Sequence, residues 1–395
     1  MNKTCIIVHI FAKEFGPCLS ISILNNERSV IRHVINYGPI SRSKISRDLS
    51  INKVTISSIL EDLLSQQYVV EIGEGASTKN GGRKPKLIEF NKSFGYFINI
   101  EIGKDYVNIM SNWANGQIAR FEEISIIDKA DKQIYQTIKK KINNFALKDT
   151  VHRLLGISLA VHCRVLDNAA QKPILKDIDL PQVLEEEFEV PVVLLNSANA
   201  SAIFQRDFSS NNEIKNLISL TINESIDAGV IIDENLYLGN QAAAGNIEDM
   251  KFLLQTDDKI IEINPISYCS QDAILKEVYK DKGLNNLSLQ QVAKLYVQGN
   301  DQVVTSINQF INGLSLVLNN LIASYSPQII FLDSTLIENL PLLLIQLRNH
   351  LPILQKTDTK LEISRQSTFA PLLGSYSFLM RQVFHLGTKR LRLIP

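Results

Sequence analysis

The chain has 395 residues, of which 45% are hydrophobic and 21% charged, so it can bury more than one core and two or three domains are expected. Its 41 basic and 41 acidic residues cancel, so any strongly charged surface must be local. No apolar run reaches the roughly 18 to 20 residues of a membrane-spanning helix, which predicts a cytoplasmic protein without a membrane partner. Four widely separated cysteines exclude a disulfide framework and a Cys-rich zinc site.

Residues 1–24 show no clear period and are predicted to form a short arm. The next segment, "NNERSVIRHVINYG", has apolar residues at helical spacing and is ended by Gly38. In "ISRSKISRDLS", Ser41 is placed to cap a second helix that runs through Leu49. Between residues 26 and 92, eleven Lys and Arg stand against seven Asp and Glu, so the basic excess is local to this part of the chain.

The segment "INKVTISSILEDLLSQQ" predicts a third helix with one apolar face. The residues predicted to point inward are Val54, Ile56, Ile59, Leu60, Leu63 and Leu64. Those turned outward near the helix start are Lys53, Thr55, Ser57 and Ser58. This layout is typical of a helix-turn-helix, in which the second helix enters the major groove and its N-terminal residues contact bases. A small three-helix bundle is the alternative explanation of the same pattern.

Two predicted strands, "YVVEIGEG" and "KPKLIEF", follow the helices and enclose a basic loop, "STKNGGRKP". This hairpin is typical of the wing of a winged helix. Arg83 and Lys84, flanked by glycines and Pro85, are placed to enter the minor groove, whose negative potential attracts Arg and Lys. A solvated basic turn is the alternative interpretation.

These elements together predict a DNA-contact surface. Lys53, Thr55, Ser57 and Ser58 are expected to face bases, Arg42, Lys44 and Arg47 to face the DNA backbone, and Arg83 and Lys84 to enter the minor groove. One winged helix covers only a half-site. We therefore expect a homodimer or tetramer on a palindromic operator.

From residue 93 onward, predicted strands and helices alternate. The first strands are "GYFINIEIG", "YVNIMSN" and "GQIARFEEISI", followed by helix, strand, helix and strand, an order typical of the ribonuclease-H-like core of actin and sugar kinases. A similar second lobe starts at "NLISLTIN", and two lobes with a cleft suit a small ligand. The expected fold class is α/β: an arm (1–24), a winged helix-turn-helix (25–92) and a two-lobed actin-like domain (93–395).

The stretches "GPISRSKISRDLSINKVTISSILEDLLSQQYVVEIGEG", "GGRKP" and "GYFINIEIG" resemble the ROK family of repressors and sugar kinases, in particular its transcriptional regulators of the xylose and N-acetylglucosamine repressor type. The resemblance extends through "SPQIIFLDS" and "APLLGSYSFLMRQ" in the second half. It implies a sequence-specific DNA-binding regulator that represses carbohydrate-related genes.

The resemblance weakens where the kinases of the family carry their catalytic residues. Their Asn-Asp-Ala-Asn motif supplies an aspartate as general base, whereas this chain has "NSAN", and Ser197 in that place cannot act as the base. The phosphate loop Asp-x-Gly-Gly-Thr appears as "EIGKD", and the second phosphate segment appears as "INESIDAG". The resemblance therefore implies no catalytic residues and no kinase activity. A sugar kinase with an added DNA-binding domain is the alternative.

The zinc signature of the family is also absent from the sequence. Where relatives have a sugar-binding glutamate and a zinc-binding histidine, the stretch "GNIEDMKF" has Asn246 and Asp249, and Cys269 stands alone after it. We therefore expect no metal and no cofactor. The residues that remain to bind a sugar or sugar-phosphate effector are Asn196, Asn199, Asn246 and Asp249, although Asn and Asp also serve as helix caps and turn residues. His162 is expected to be an ordinary loop residue.

Overall fold

The computed structural model describes residues 25–75, 84–172, 174–209, 211, 213–223, 225–255, 260–280, 284, 287–364 and 366–394. These residues fall into two compact units. The first contains the residues up to Leu195 and those from Ser375 onward, and the second contains Asn196–Gly374. No helix in the described ranges is both long and apolar enough to cross a membrane.

The first unit begins with three short helices and a small antiparallel sheet. The helices are α1 (Asn25–Tyr37), α2 (Arg42–Leu49) and α3 (Lys53–Ser65), and the strands are β1 (Ile40–Ser41), β2 (Val69–Glu74) and β3 (Lys86–Phe90). The strands pair in the order β1-β3-β2. Ile31, Ile45, Ile56, Leu60 and Ile88 are completely buried and come from all three helices and β3, so one apolar core holds helices and sheet together.

A side-chain cap begins each of the two helices α2 and α3, which the turn after Leu49 connects. The hydroxyl of Ser41 accepts a hydrogen bond from the backbone N–H of Lys44, which confirms the predicted cap of α2. Ser50 then leaves the helix in the left-handed conformation, with φ of 56°. The side chain of Asn52 accepts from the backbone N–H of Thr55 at 2.8 Å and starts α3. The turn between α2 and α3 therefore ends in a second hydrogen-bonded cap.

A five-stranded mixed sheet forms the body of the first unit in the described part of the chain. Its elements and the small hairpin beside it are β4 (Tyr96–Ile102), β5 (Tyr106–Trp113), β6 (Ile118–Ser125), α4 (Asp131–Asn144), β7 (Leu154–Val161), β8 (Val165–Leu166), β9 (Ala169–Ala170), α5 (Leu180–Phe188) and β10 (Val192–Asn196). The order in the sheet is β10-β7-β4-β5-β6, with β4 antiparallel to β5 and parallel to β7. The predicted order of strands and helices is confirmed.

The second unit repeats this plan. Its described strands are β11 (Leu217–Ile222), β12 (Ile226–Ile232), β13 (Asn235–Leu236), β14 (Phe252–Gln255), β15 (Ile260–Ile263), β16 (Ile329–Asp333) and β17 (Lys360–Ile363). Its helices are α6 (Ser197–Asp207), α7 (Ile266–Cys269), α8 (Gln271–Val278), α9 (Leu289–Val297), α10 (Asp301–Tyr325), α11 (Thr335–Asn339), α12 (Leu342–Asn349), α13 (Leu354–Thr357) and the first part of α14 (Ala370–Val383). The main sheet has the order β13-β12-β11-β16-β17, with β11 antiparallel to β12 and parallel to β16. The prediction of a similar second lobe is confirmed.

Two glycines allow the backbone to approach α6, which is buried along almost its whole length. A Cβ on Gly229 of β12 would lie 2.1 Å from the carbonyl oxygen of Ala198. A Cβ on Gly374 of α14 would lie 1.7 Å from the carbonyl oxygen of Ala200. Since no side chain fits at these distances, direct backbone contact fixes α6 against β12 and the start of α14.

The last described residues of the chain pack against α1. The side-chain amide of Asn36 donates to the carbonyl oxygen of Arg390 at 3.3 Å and accepts from the backbone N–H of Arg392 at 2.9 Å. The Arg392 guanidinium also lies 4.6 Å from the ring centroid of Tyr37, within cation–π range. Nothing in the sequence pattern predicts this contact between the segment after α14 and the first helix.

Candidate functional site

The start of α3 presents the residues that the sequence predicts to face bases. Lys53 and Ser58 are exposed, and Thr55 and Ser57 are half-buried. The buried residues of the same helix are Ile56, Ile59, Leu60 and Leu63. One side of α3 therefore carries a lysine and three hydroxyl side chains near its beginning, while the other side packs in the core.

Val54 contradicts the sequence prediction, which placed its side chain in the core. It is 81% exposed. The buried residues of α3 are Ile56, Ile59, Leu60 and Leu63, and they form one stripe along the helix. Val54 lies two residues before this stripe, about 200° around the helix, so its side chain points to solvent.

Two of the three basic residues of α2 are available to a ligand. Lys44 and Arg47 are exposed, and neither forms an ion pair with another described residue. Arg42 is engaged within the protein. Its guanidinium donates to Glu71 at 3.1 Å and lies 3.8 Å from the carboxylate of Glu61. Lys44 and Arg47 are therefore stronger candidates for phosphate contact than Arg42.

Glu71 joins α2 to the β2–β3 hairpin. Besides the bond from Arg42, its carboxylate accepts a hydrogen bond from Lys86 of β3 at 2.5 Å. The bond from Lys86, followed by that from Arg42, holds the pKa of the Glu71 carboxyl below its usual range. The carboxylate therefore stays charged at neutral pH and ties the hairpin to the helix that precedes α3.

Only one of the two basic residues predicted for the wing can be placed. Arg83 lies outside the described residues. Lys84 is exposed and stands two residues before β3. Beside it, the backbone N–H of Gly75 donates to the carbonyl oxygen of Pro85 at 2.7 Å and extends the pairing of the two hairpin strands. Lys84 thus lies on the loop side of the last paired residues of the hairpin.

The four residues predicted to bind an effector all belong to the second unit. The side-chain oxygen of Asn196 accepts from the backbone N–H groups of Ala198 and Asn199, at 2.9 and 3.1 Å, and caps α6. Asn246 donates to the carboxylate of Asp249 at 2.5 Å. Asn199 is half-buried. The capping role, which the sequence left open as an alternative, applies to Asn196.

Ser197, at the position of the kinase general base, is only 1% exposed. Its hydroxyl has no hydrogen-bond partner among the described residues. In the segment that matches the second phosphate loop, Asn223 and Asp227 are half-buried, and Glu224 lies outside the described residues. No base or cation among the described residues is therefore hydrogen-bonded to the Ser197 hydroxyl to activate it.

A polar cluster occupies the segment that matches the first phosphate loop. The buried carboxylate of Glu101 accepts from Asn108 at 3.1 Å and lies 3.2 Å from Nε2 of His162. The same nitrogen is 3.2 Å from the hydroxyl of Tyr106. The Tyr106 ring packs directly on Gly103, where a Cβ would lie 2.3 Å from the ring. His162, in the loop that follows β7, thus contacts the side chains of Glu101 and Tyr106.

Cys269 occupies the core of the second unit. It is completely buried in α7, and burial raises the pKa of its thiol to about 12. Among the described residues, no group of three or more His, Cys, Asp or Glu side chains is arranged to hold a metal ion.

Cys269 is expected to resist alkylation in the folded protein. Only the thiolate reacts, and a pKa of about 12 leaves about one thiol in ten thousand ionised at pH 8. Treating native protein with iodoacetamide at pH 8 and mapping the peptides by mass spectrometry should leave Cys269 unmodified, with full modification after denaturation. The half-exposed Cys163 is the internal control and should react in the native state. Rapid native labelling of Cys269 would contradict its place in the core.

The comparisons with known proteins agree with the duplicated α/β architecture. The chain is 34% identical over 370 residues to the xylose repressor of Staphylococcus xylosus, covering 92% of this chain and 96% of that protein. Among solved structures, a ROK family transcriptional regulator that is a homologue of the Escherichia coli MLC protein matches with a TM-score of 0.73 at 18% identity, over 91% of this chain and 97% of that one.

A ROK family glucokinase from Streptomyces griseus, solved with glucose and AMPPNP, matches with a TM-score of 0.60 at 15% identity. That match covers 72% of this chain and 99% of the glucokinase, so the kinase fold accounts for a part of the chain only. Residues 97–381 match the model of the ROK family. The chain therefore belongs to the ROK family.

Proposed function

We propose that the protein is a transcriptional repressor of carbohydrate-related genes that binds operator DNA through residues 25–92. The observation that carries the proposal is the exposed surface of α2 and α3. Two capped helices meet at a short turn. Lys44 and Arg47 are exposed on α2, and Lys53 is exposed at the start of α3, whose first turns also carry three hydroxyl side chains. The match to a xylose repressor along 92% of the chain supports the same conclusion.

In this proposal α1–α3 and the β2–β3 hairpin act as a winged helix-turn-helix. α3 enters the major groove, where Lys53, Thr55, Ser57 and Ser58 meet base edges. Lys44 and Arg47 bind phosphates on the flanking backbone, and Arg42 positions the hairpin through Glu71. Arg83 and Lys84 of the wing enter the minor groove.

The protein acts in the cytoplasm as a symmetric dimer or tetramer, because one such domain reads only a half-site. Residues 93–395 form the effector and oligomerisation domain. The effector is a sugar or sugar phosphate, and the polar side chains of Asn199, Asn246 and Asp249 in the second unit bind its hydroxyl groups. Because the dimer is symmetric, its operator has two inverted half-sites.

Selection of binding sites from random double-stranded DNA tests this function. Purified full-length protein should enrich an inverted repeat within a few rounds at near-physiological salt. The same protein with Lys53→Ala and Ser57→Ala should enrich a different or degenerate sequence, because these changes remove base contacts. If the wild-type protein enriched no sequence at all, the proposed function would be wrong.

We expect no sugar kinase activity. The buried Ser197 cannot take a proton from a sugar hydroxyl, and Tyr106 packs on Gly103 in the first phosphate segment. Incubating the protein with Mg-ATP and a panel of monosaccharides should release no ADP above the sugar-free background, with a ROK glucokinase as the positive control. Ser197→Asp should also fail to restore activity, because it changes neither phosphate segment. Sugar-dependent ADP release by the wild-type protein would overturn this assignment.

A further inference from the structure

We propose that Val54 is a specificity-determining residue that contacts the C5 methyl group of a thymine in the operator. The inference rests on the proposed function. Val54 is 81% exposed, and among the large hydrophobic residues that the structure describes only Ile394, at 83%, is more exposed. In the free protein this branched side chain contacts water and contributes almost nothing to the core.

Val54 lies on the part of α3 that also carries the hydroxyl candidates. Residues three and four positions apart are neighbours on a helix surface, so Val54 lies next to Ser57 and Ser58. Lys53 precedes it at the first helical position. The exposed residues one turn further along are acidic, Glu61 and Asp62. Because their charges repel phosphates, the first two turns of α3 are the part that fits against DNA.

Thymine provides the partner that this side chain requires. In the major groove, most base edges present hydrogen-bond donors and acceptors. The C5 methyl group of thymine is the apolar group there, and aliphatic side chains contact it. An aliphatic side chain between a lysine and hydroxyl groups therefore distinguishes thymine by burying the methyl group, while its neighbours make polar contacts. The expected preference is for a thymine at one position in each half-site.

Replacing thymine by deoxyuridine tests the contact, because this change removes only the methyl group. The probe is the duplex that the wild-type protein selects from random DNA, with each thymine replaced in turn. Replacing one particular thymine in each half-site by deoxyuridine should lower the affinity of the wild-type protein about fourfold. This is the expected effect of losing one buried methyl group. Val54→Ala should bind the duplex with thymine at that position and the duplex with uracil there with equal affinity. Any change in affinity that uracil causes at other positions should be the same as for the wild type.

Val297→Ala is the matched control. Val297 is also strongly exposed, at 69%, and it lies on α9 in the second unit. This variant should keep the full thymine preference. Circular dichroism and thermal unfolding should show that Val54→Ala folds like the wild type, since an exposed side chain is removed.

Two results would overturn the inference while leaving the proposed function intact. The first is an operator at which no single uracil substitution weakens wild-type binding. The second is a Val54→Ala protein that still distinguishes thymine from uracil at the same position as the wild type. If random DNA yields no enriched sequence, the inference fails together with the proposed function.

Discussion

Replacing Lys44 and Arg47 together with alanine should weaken operator binding by at least about tenfold near physiological salt. Both side chains are exposed on α2 and unpaired among the described residues, so the free protein loses no ion pair. If each contacts one phosphate, the slope of log affinity against log salt should become shallower by about two units per bound subunit. Fluorescence anisotropy at several salt concentrations measures both quantities.

The Lys44→Ala and Arg47→Ala double substitution should weaken binding to all DNA sequences by a similar factor, because phosphate contacts do not distinguish bases. The control is the double substitution Lys132→Ala and Lys140→Ala, which removes two exposed positive charges from α4. It should leave affinity and salt slope close to those of the wild type. An unchanged slope for the α2 variant, or an equal loss for the α4 variant, would contradict the assignment of α2 to the DNA backbone.

Gly374→Ala should destabilise the protein by about 2 kcal/mol or more, which corresponds to a fall in Tm of about 4–8 °C. Helix propensity alone favours alanine by about 1 kcal/mol at this position in α14. The added Cβ, however, would lie 1.7 Å from the backbone carbonyl oxygen of Ala200 in the buried helix α6. Since both partners are packed backbone, steric overlap outweighs propensity. Scanning calorimetry measures the shift.

Gly75→Ala provides the matched control. There the nearest atoms to the new Cβ would be side-chain atoms of Leu87 and Pro85 at 3.2 and 3.4 Å and the carbonyl oxygen of Pro85 at 3.5 Å. Its effect on the free energy of unfolding should stay below about 1 kcal/mol. A Gly374→Ala protein with an unchanged or higher Tm would show that α6 and α14 separate easily at this point.

Much of the fold is predictable from the sequence because its signals are local. The predicted cap at Ser41 and the predicted apolar stripe from Ile56 both appear in the helices at the start of the chain. The apolar side chain of Val54 predicts burial, but its position on the helix does not. The stripe itself shows that Val54 lies about 200° from Ile56.

The contacts that could not be predicted join residues far apart in sequence. Glu101 meets His162 because β4 and β7 pair in parallel, with Ile102 opposite Val161. The contact between Asn36 and Arg390 likewise depends on how the end of the chain returns to α1. No periodicity or spacing in a single sequence encodes these contacts, because the first is set by sheet register and the second by where the segment after α14 packs.

We propose that this ROK protein binds specific DNA sites and that a sugar modulates the binding. The most direct measurement is recovery of genomic DNA fragments by the purified protein at near-physiological salt, without additive and with each of a panel of monosaccharides and their phosphates. Recovery of a few inverted-repeat sites near carbohydrate genes, released or tightened by one sugar, is the predicted result. Recovery of no enriched fragment under any condition would contradict the claim and leave residues 25–92 without a DNA target.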